Sequence, residues 1–393
     1  MKHRVLLLAA ATVIAVAAAP VRGQSLAWTR LAPPAVADTS YAKGVSAAYC
    51  GMAGGRVVLA GGCNFPARAA ADGGAKRFYA DVFTGTPHGK RIDWQRAGEL
   101  PAPAAYGVTL PTDEGLALIG GTTPDGPTAA ALELRPAGGD ARVSRHALPA
   151  LPVAVDNATG ARVGRRLYVV GGNAAGHPSR RVFSLHLDSL TAGWREEPPL
   201  PGEPRTQAVA VALSHRGESC LYVFGGFAAG GNGRAASLSL ASLRYRPSAR
   251  RWETAATPTD AGGRPVSLGG GAGLALGDTA VICLGGVDKD IFLAALQREE
   301  RLAEARARGN DSLAAALQAA GRSYMTQPAA WYRFNRHVLL YSAAADSWTV
   351  AGEAPQAARA GAALIGHGTT LYWLGGELKP GVRTPDVWRA DLH

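Results

Sequence analysis

Six Gly-Gly doublets, each directly behind a short apolar run, restrict this chain more than any other feature. The runs are Val-Val-Leu-Ala before Gly61-Gly62, Leu-Ala-Leu-Ile before Gly120-Gly121, Leu-Tyr-Val-Val before Gly171-Gly172, Leu-Tyr-Val-Phe before Gly225-Gly226, Ala-Val-Ile-Cys-Leu before Gly285-Gly286 and Leu-Tyr-Trp-Leu before Gly375-Gly376. An unbroken apolar run of this length is a strand buried on both faces. Two glycines at its end let the chain turn sharply and let neighbouring backbone come close. The doublets recur every fifty to sixty residues as far as Gly285, then after ninety. A period of that size, with room for four strands per unit, is the signature of a propeller. The 50 Gly and 25 Pro of this 393-residue chain fit many turns and short strands, and 47% hydrophobic residues suffice for a core.

A second element follows most doublets. Trp94, Trp194, Trp252 and Trp348 open strands, three of which end in a turn at Leu100-Pro101, Leu200-Pro201 or Ala354-Pro355. A large ring there packs between adjacent sheets, burying a face that one four-stranded sheet cannot cover alone. The unit after Gly121 lacks the Trp. The last doublet is followed only by the run through Trp388, whereas Trp28 with Pro33-Pro34 stands unused at the other end. The expectation is an all-β, six-bladed propeller closed by pairing N- and C-terminal strands in one blade, which hides edges that an open sheet exposes. The repeat resembles the kelch motif over nearly all of residues 24–393.

The long final interval turns helical from about 290 to 321, where Asn310-Asp311-Ser312 is suited to cap a second helix ending at Gly321. This insertion is either a surface decoration or a lid over one mouth of the channel, where long loops gather.

Residues 1–23 read as a secretory signal peptide: Lys2, His3 and Arg4, an apolar run over 5–19, then Val21 and Gly23 as small residues. The run is too short to span a membrane. The expectation is an exported, periplasmic protein with no membrane partner. Removing Lys2, Arg4 and Arg22 leaves 38 basic against 30 acidic residues, a net charge of +8 in place of +11. Without basic runs or basic–aromatic stripes, nucleic acid is a poor partner, while an anionic small molecule suits the charge. The four Cys form no Cys-x-x-Cys pair and the nine His show no ligand spacing, so no metal site is expected. Cys50 and Cys63 are close enough to pair across a hairpin, and the sequence leaves that open.

The chemistry points to residues 375–384. Glu377 follows a doublet directly, and Arg383 lies six positions on, past Pro380-Gly381. A channel-lining strand can aim Glu377 at the mouth and the turn can return Arg383 beside it; the alternative is an ordinary charged hairpin. This Gly-Glu-x-Lys-Pro-Gly-x-Arg-Thr run resembles that of the bacterial N-acetylneuraminate epimerases, exported sialic acid mutarotases. So do Gly61-Gly62-Cys63-Asn64-Phe65-Pro66, Ala105-Tyr106-Gly107-Val108, Pro204-Arg205-Thr206-Gln207-Ala208 and Gly285-Gly286-Val287-Asp288-Lys289-Asp290. The unit order is similar to that of the cyclically permuted branch.

The resemblance implies a cofactor-independent isomerase that interconverts the α and β anomers of a sialic acid through its open-chain form. Glu377 matches the family's proton acceptor, and Arg383 matches an arginine suited to grip the sugar's carboxylate. Arg205 and Gln207 match a family motif, with binding and structural roles both open. Asn64 follows a doublet as Glu377 does, which suggests the same channel end, and Tyr106 offers a hydroxyl to the sugar or fills core. The family often has an arginine where this chain has Ala104. A non-catalytic kelch module binding a glycan or protein is the alternative. A copper oxidase on this scaffold needs a Tyr, Cys and His cluster that the sequence does not offer.

Overall fold

Each apolar run ahead of a doublet is the second strand of a four-stranded antiparallel sheet. The computed structural model describes residues 26–137, 142–231 and 233–392, so the leader at 1–23 lies outside them. Six such sheets are present among the described residues. The Gly61 sheet runs Tyr49–Ala53, Arg56–Ala60, Asp81–His88, Arg91–Glu99. The innermost strands of the others are Val108–Pro111, Thr159–Val163, Val209–His215, Ala272–Leu276 and Ala363–His367. The chain is all-β with a propeller-like arrangement of small sheets.

The doublet strands are apolar at every position because each faces two neighbours. In Arg166–Val170, Leu167 and Val169 pack into a cluster shared with the Gly120 sheet. Tyr168 and Val170, on the opposite face, pack into one shared with the Gly225 sheet. Side chains alternate along a strand, so burying both faces demands a continuous apolar run. Similar clusters join the Gly61 and Gly120 sheets, the Gly225 and Gly285 sheets, and the Gly285 and Gly375 sheets. A further cluster joins Leu374 and Val387 to Val57 and Ile92, that is, the Gly375 sheet to the Gly61 sheet. Each buried Leu or Val contributes about 1.5–3 kcal/mol relative to exposure, so the sheets are held by their neighbours.

The Gly375 sheet draws on both ends of the chain. Leu26–Leu31 pairs antiparallel with Val387–Leu392, Trp28 opposite Ala390 and Leu31 opposite Val387. Four tryptophans each pin their sheet to a turn of the one before. Their Nε1 groups donate from Trp94 to Ala32 O (3.1 Å), Trp194 to Pro149 O (2.7 Å), Trp252 to Pro198 O (2.9 Å) and Trp348 to Ala256 O (2.7 Å). All four cysteines are free. Cys50 faces Leu59 in its ladder, whereas Cys63 lies beyond the doublet, bridged to Ser46, so the hairpin does not oppose them.

Behind each doublet, between second and third strands, the chain forms a short hairpin or, in the Gly285 sheet, two helices. Helix α1, Lys289–Ala307, is capped by Asp288, which accepts from the amides of Asp290 and Ile291. Helix α2, Asp311–Thr326, is capped by Asn310. It continues through Gly321, where the sequence suggested an end. An interior glycine costs about 1 kcal/mol, which the packing of α2 on α1, Leu317 against Leu302 and Ala305, outweighs. Pro328 supplies the stop by holding Gln327 extended.

Helix α1 packs on the Gly225 hairpin through Phe292 and Phe227, with ring centroids 4.7 Å apart, and through Glu300, which accepts from the Ala236 amide. The end of α2 meets the Gly375 hairpin, where Lys379 Nζ donates to Gln327 O at 2.6 Å, and the turn Ala70–Asp72 of the Gly61 loop. The helices thus lie at the end of the sheets where the hairpins gather. Among the described residues, no helix is long and apolar enough to cross a membrane.

Candidate functional site

The hairpin of Glu377–Lys379 and Val382–Arg383 sets Glu377 directly opposite Arg383. The positive φ of Gly381, 81°, lets its amide turn inward and donate to Glu377 Oε1. Arg383 NH1 donates to the same oxygen at 2.7 Å. Among the described residues nothing donates to Glu377 Oε2. Arg383 Nε donates to Ser46 Oγ at 2.9 Å, and the guanidinium lies 5.1 Å from the Phe65 ring centroid. The Arg383 side chain is only 4% exposed, against 24% for Glu377. Burial acts to lower the Arg383 pKa, but Glu377, Tyr106 and Cys63 around it outweigh that, and it rises above its ordinary value.

Tyr106 joins this group from a different sheet. Burial is the main cause pushing its hydroxyl well above the ordinary range, with Cys63 and Glu377 adding and Arg383 opposing. Lys76 Nζ donates to Tyr106 Oη at 3.0 Å and lies 4.6 Å from its ring centroid.

Tyr106 is held there by a closed cycle of backbone hydrogen bonds. The amide of Tyr106 donates to Ala47 O, Asn157 to Tyr106 O, Gln207 to Asn157 O, Gly270 to Gln207 O, Gly361 to Gly270 O and Ala47 to Gly361 O, all at 2.8–2.9 Å. All six residues have positive φ, between 47° and 74°. Four are not glycine, and left-handed backbone at such residues costs about 1–2 kcal/mol each. The six bonds, pairing the amide and the carbonyl of each of these residues, offset that strain. Each member stands just before an innermost strand, so the cycle takes one residue from each sheet. Gln207 also donates through Nε2 to Asn157 Oδ1 at 2.8 Å, and both line a cavity of about 140 Å³ at the hub.

The model of the N-acetylneuraminate epimerase family matches residues 11–140 and 148–393. The chain belongs to the N-acetylneuraminate epimerase family. It is 36% identical over 246 residues to the N-acetylneuraminate epimerase of Yersinia enterocolitica, a match spanning 62% of this chain and 57% of that one. It is 33% identical over 239 residues to that of Haemophilus influenzae, spanning 61% and 58%. The chain therefore spans somewhat over half the length of these curated relatives. A solved structure titled "Structure of YjhT" is similar with a TM-score of 0.51 at 26% identity, covering 62% of this chain and 65% of the other.

Two candidates of this family member serve the fold instead of joining the group. Asn64 is buried. Its Nδ2 donates to Ser40 O (2.7 Å) and Gly44 O (2.9 Å), and its Oδ1 accepts from Tyr79 Oη (2.7 Å). Arg205 donates through NH1 to Ala241 O (2.7 Å) and Gly225 O (3.3 Å). Burial lowers its pKa to about 10. Arg359 does the same one and a half hundred residues later, bonding Gly375 O at 2.8 Å. Carbonyls at the doublets are left over when the strand ends, and a buried arginine satisfies them.

Ala104 occupies the same place in its sheet. Its carbonyl accepts from Gly62 N, as those of Arg205 and Arg359 accept from Gly172 N and Gly286 N. The carbonyl that an arginine at 104 would serve, Gly120 O, instead accepts from Tyr49 Oη at 2.6 Å. The missing arginine is thus replaced by a tyrosine of the neighbouring sheet, and its absence takes nothing from the Glu377 group. Lys76, Ser46 and Phe65 were not picked out from the sequence as site residues.

Proposed function

We propose that this chain interconverts the α and β anomers of N-acetylneuraminate or a closely related acidic sugar, as an exported periplasmic isomerase on a closed six-bladed kelch-type propeller. The family match supports the substrate class. The observation carrying the reaction is the Glu377–Arg383 pair at 2.7 Å, its guanidinium buried and its carboxylate partly open, set against the Tyr106 hydroxyl where the hairpins gather. Residues 1–23, read as a signal peptide, support export.

Opening the sugar ring requires one group to take the proton of the anomeric hydroxyl while another delivers a proton to the ring oxygen as the carbon–oxygen bond breaks. Glu377 Oε2 faces no donor of its own and is the acceptor. Arg383 and the Gly381 amide hold Oε1, which fixes the carboxylate plane. Tyr106 is kept protonated by burial and delivers the second proton, its phenolate stabilised by Arg383 as it forms. Rotation in the open-chain ketone presents the other face, and the same two transfers run in reverse. None of these steps calls on a cofactor.

The test is NMR of freshly released α-anomer followed with and without protein. Glu377→Gln keeps the shape and removes the base, so catalysed exchange should fall by about 10²–10⁴-fold with unchanged thermal unfolding. Native exchange rates in that variant refute the proposal and leave a glycan- or protein-binding module.

A further inference from the structure

The family resemblance gives the sugar's carboxylate to Arg383, and the geometry does not favour that. Two Arg383 donors are committed, to Glu377 Oε1 and Ser46 Oγ, and the side chain is 4% exposed. Its charge is already balanced by Glu377. An anion arriving at this site needs a cation that is uncommitted and open to solvent.

We propose that Lys76 is that cation: it receives the carboxylate of the acidic sugar and sets the preference for an acid, while Arg383 is a positioning residue for Glu377. This rests on the mutarotase reading of the same site. Lys76 is exposed and stands just ahead of the return strand Arg77–Phe78 of the Gly61 hairpin. Arg77 anchors that strand to Asp38 at 2.7 Å. Its ammonium lies 3.0 Å from Tyr106 Oη and 5.9 Å from the Phe65 ring centroid, the same ring that Arg383 approaches at 5.1 Å. The other lysines of these loops are committed to carbonyls: Lys43 to Pro66 O and Lys379 to Gln327 O. Among the described residues Lys76 has no carboxylate partner. An ammonium has three donors, and Tyr106 uses one.

The substrate's own chemistry calls for this placement. In a 2-keto sugar acid the carboxylate and the anomeric hydroxyl sit on the same carbon. That carbon also bears the ring oxygen, so the cation holding the first must stand beside the groups exchanging protons with the hydroxyl and with the ring oxygen. Lys76, in contact with the proposed proton donor Tyr106, meets that condition.

The test compares the sugar acid with its methyl ester, which carries no charge, on native protein, Lys76→Met and Lys76→Arg. For the acid, Lys76→Met should raise KM about ten- to hundredfold, the value of one charge-assisted hydrogen bond, with a much smaller change in kcat. The ester should be handled alike by both proteins, and Lys76→Arg should restore most of the preference for the acid. A Lys76→Met protein that keeps the native acid-over-ester ratio of KM overturns the assignment. If native protein does not accelerate anomer exchange at all, the mutarotase reading fails, and equilibrium binding of the same two probes judges Lys76 separately. A preference for the acid that vanishes in Lys76→Met then supports it; equal binding of acid and ester by native protein, or a preference that survives the substitution, overturns it.

Discussion

At the scale of single residues, the same side-chain type does opposite jobs depending on what surrounds it. Arg383 faces a carboxylate and holds it, whereas Arg205 faces strand-end carbonyls and closes them off, and Arg359 does both, bonding Gly375 O and pairing with Asp386. Arg205→Met should therefore leave the Gly225 carbonyl without its donor and the Ala241 carbonyl with the Gly225 amide alone, and lower stability by about 1–3 kcal/mol. KM for the sugar should stay at its native value; a rise in KM with unchanged melting would return Arg205 to the binding set. Glu253 gives a pH prediction. Bonds from Arg251 and Arg244 hold its carboxyl down from 4.5 to about 2. A depressed acid stabilises the fold above its unfolded pKa, and that contribution fades as pH falls from 4.5 toward 2. Melting temperatures measured across that window should decline, and Glu253→Gln should flatten the decline.

At the scale of elements, the glycines behind each doublet strand carry a demand that the sequence states openly. Gly172 has φ of 75°, and a Cβ there would stand 2.4 Å from Asp156 O and 2.7 Å from the Ala158 amide nitrogen. Gly172→Ala should cost about 2–5 kcal/mol, from left-handed strain and a clash with backbone that cannot step aside. Thermal unfolding reads this directly, and an unchanged melting temperature contradicts it. The pairing of Glu377 with Arg383 was legible for a similar local reason: six positions and a Pro-Gly turn make a hairpin whose register follows. The end of α2 was not. Gly321 looks like a stop, but packing of Leu317 on Leu302 and Ala305 of α1 carries the helix over it as far as Thr326.

At the scale of the whole molecule, the sheets depend on one another in sequence around the hub. Leu26–Leu31 closes the Gly375 sheet by pairing with Val387–Leu392. Removing residues through Leu31 should bare the Val387–Leu392 edge and unseat Trp94, whose Nε1 bonds Ala32. Such a truncation should melt at lower temperature and aggregate through the exposed strand. Light scattering during heating, compared with the intact chain, measures both effects; a truncation that melts and scatters like the intact chain contradicts this. The backbone cycle through Ala47, Tyr106, Asn157, Gln207, Gly270 and Gly361 belongs to this scale as well. It had a trace in the sequence: Ala47, Tyr106, Asn157 and Gly361 each stand fourteen positions ahead of the first glycine of a doublet.

The amino-acid sequence alone determined the strands, their ends and the hairpin bearing Glu377 and Arg383. Burial on two faces and left-handed turns are demands that a few neighbouring residues express by themselves. Only the tertiary structure decided that Lys76, Phe65 and Ser46 meet that hairpin, that Tyr106 faces it from the hub, and that Asn64 and Arg205 turn inward. The contacts to the hairpin join residues hundreds of positions apart, and the inward partners of Asn64 and Arg205 are fixed by strand ends 15 to 36 positions away. Which partner a polar side chain takes is set by the unpaired carbonyl, carboxylate or open space that another sheet brings to it.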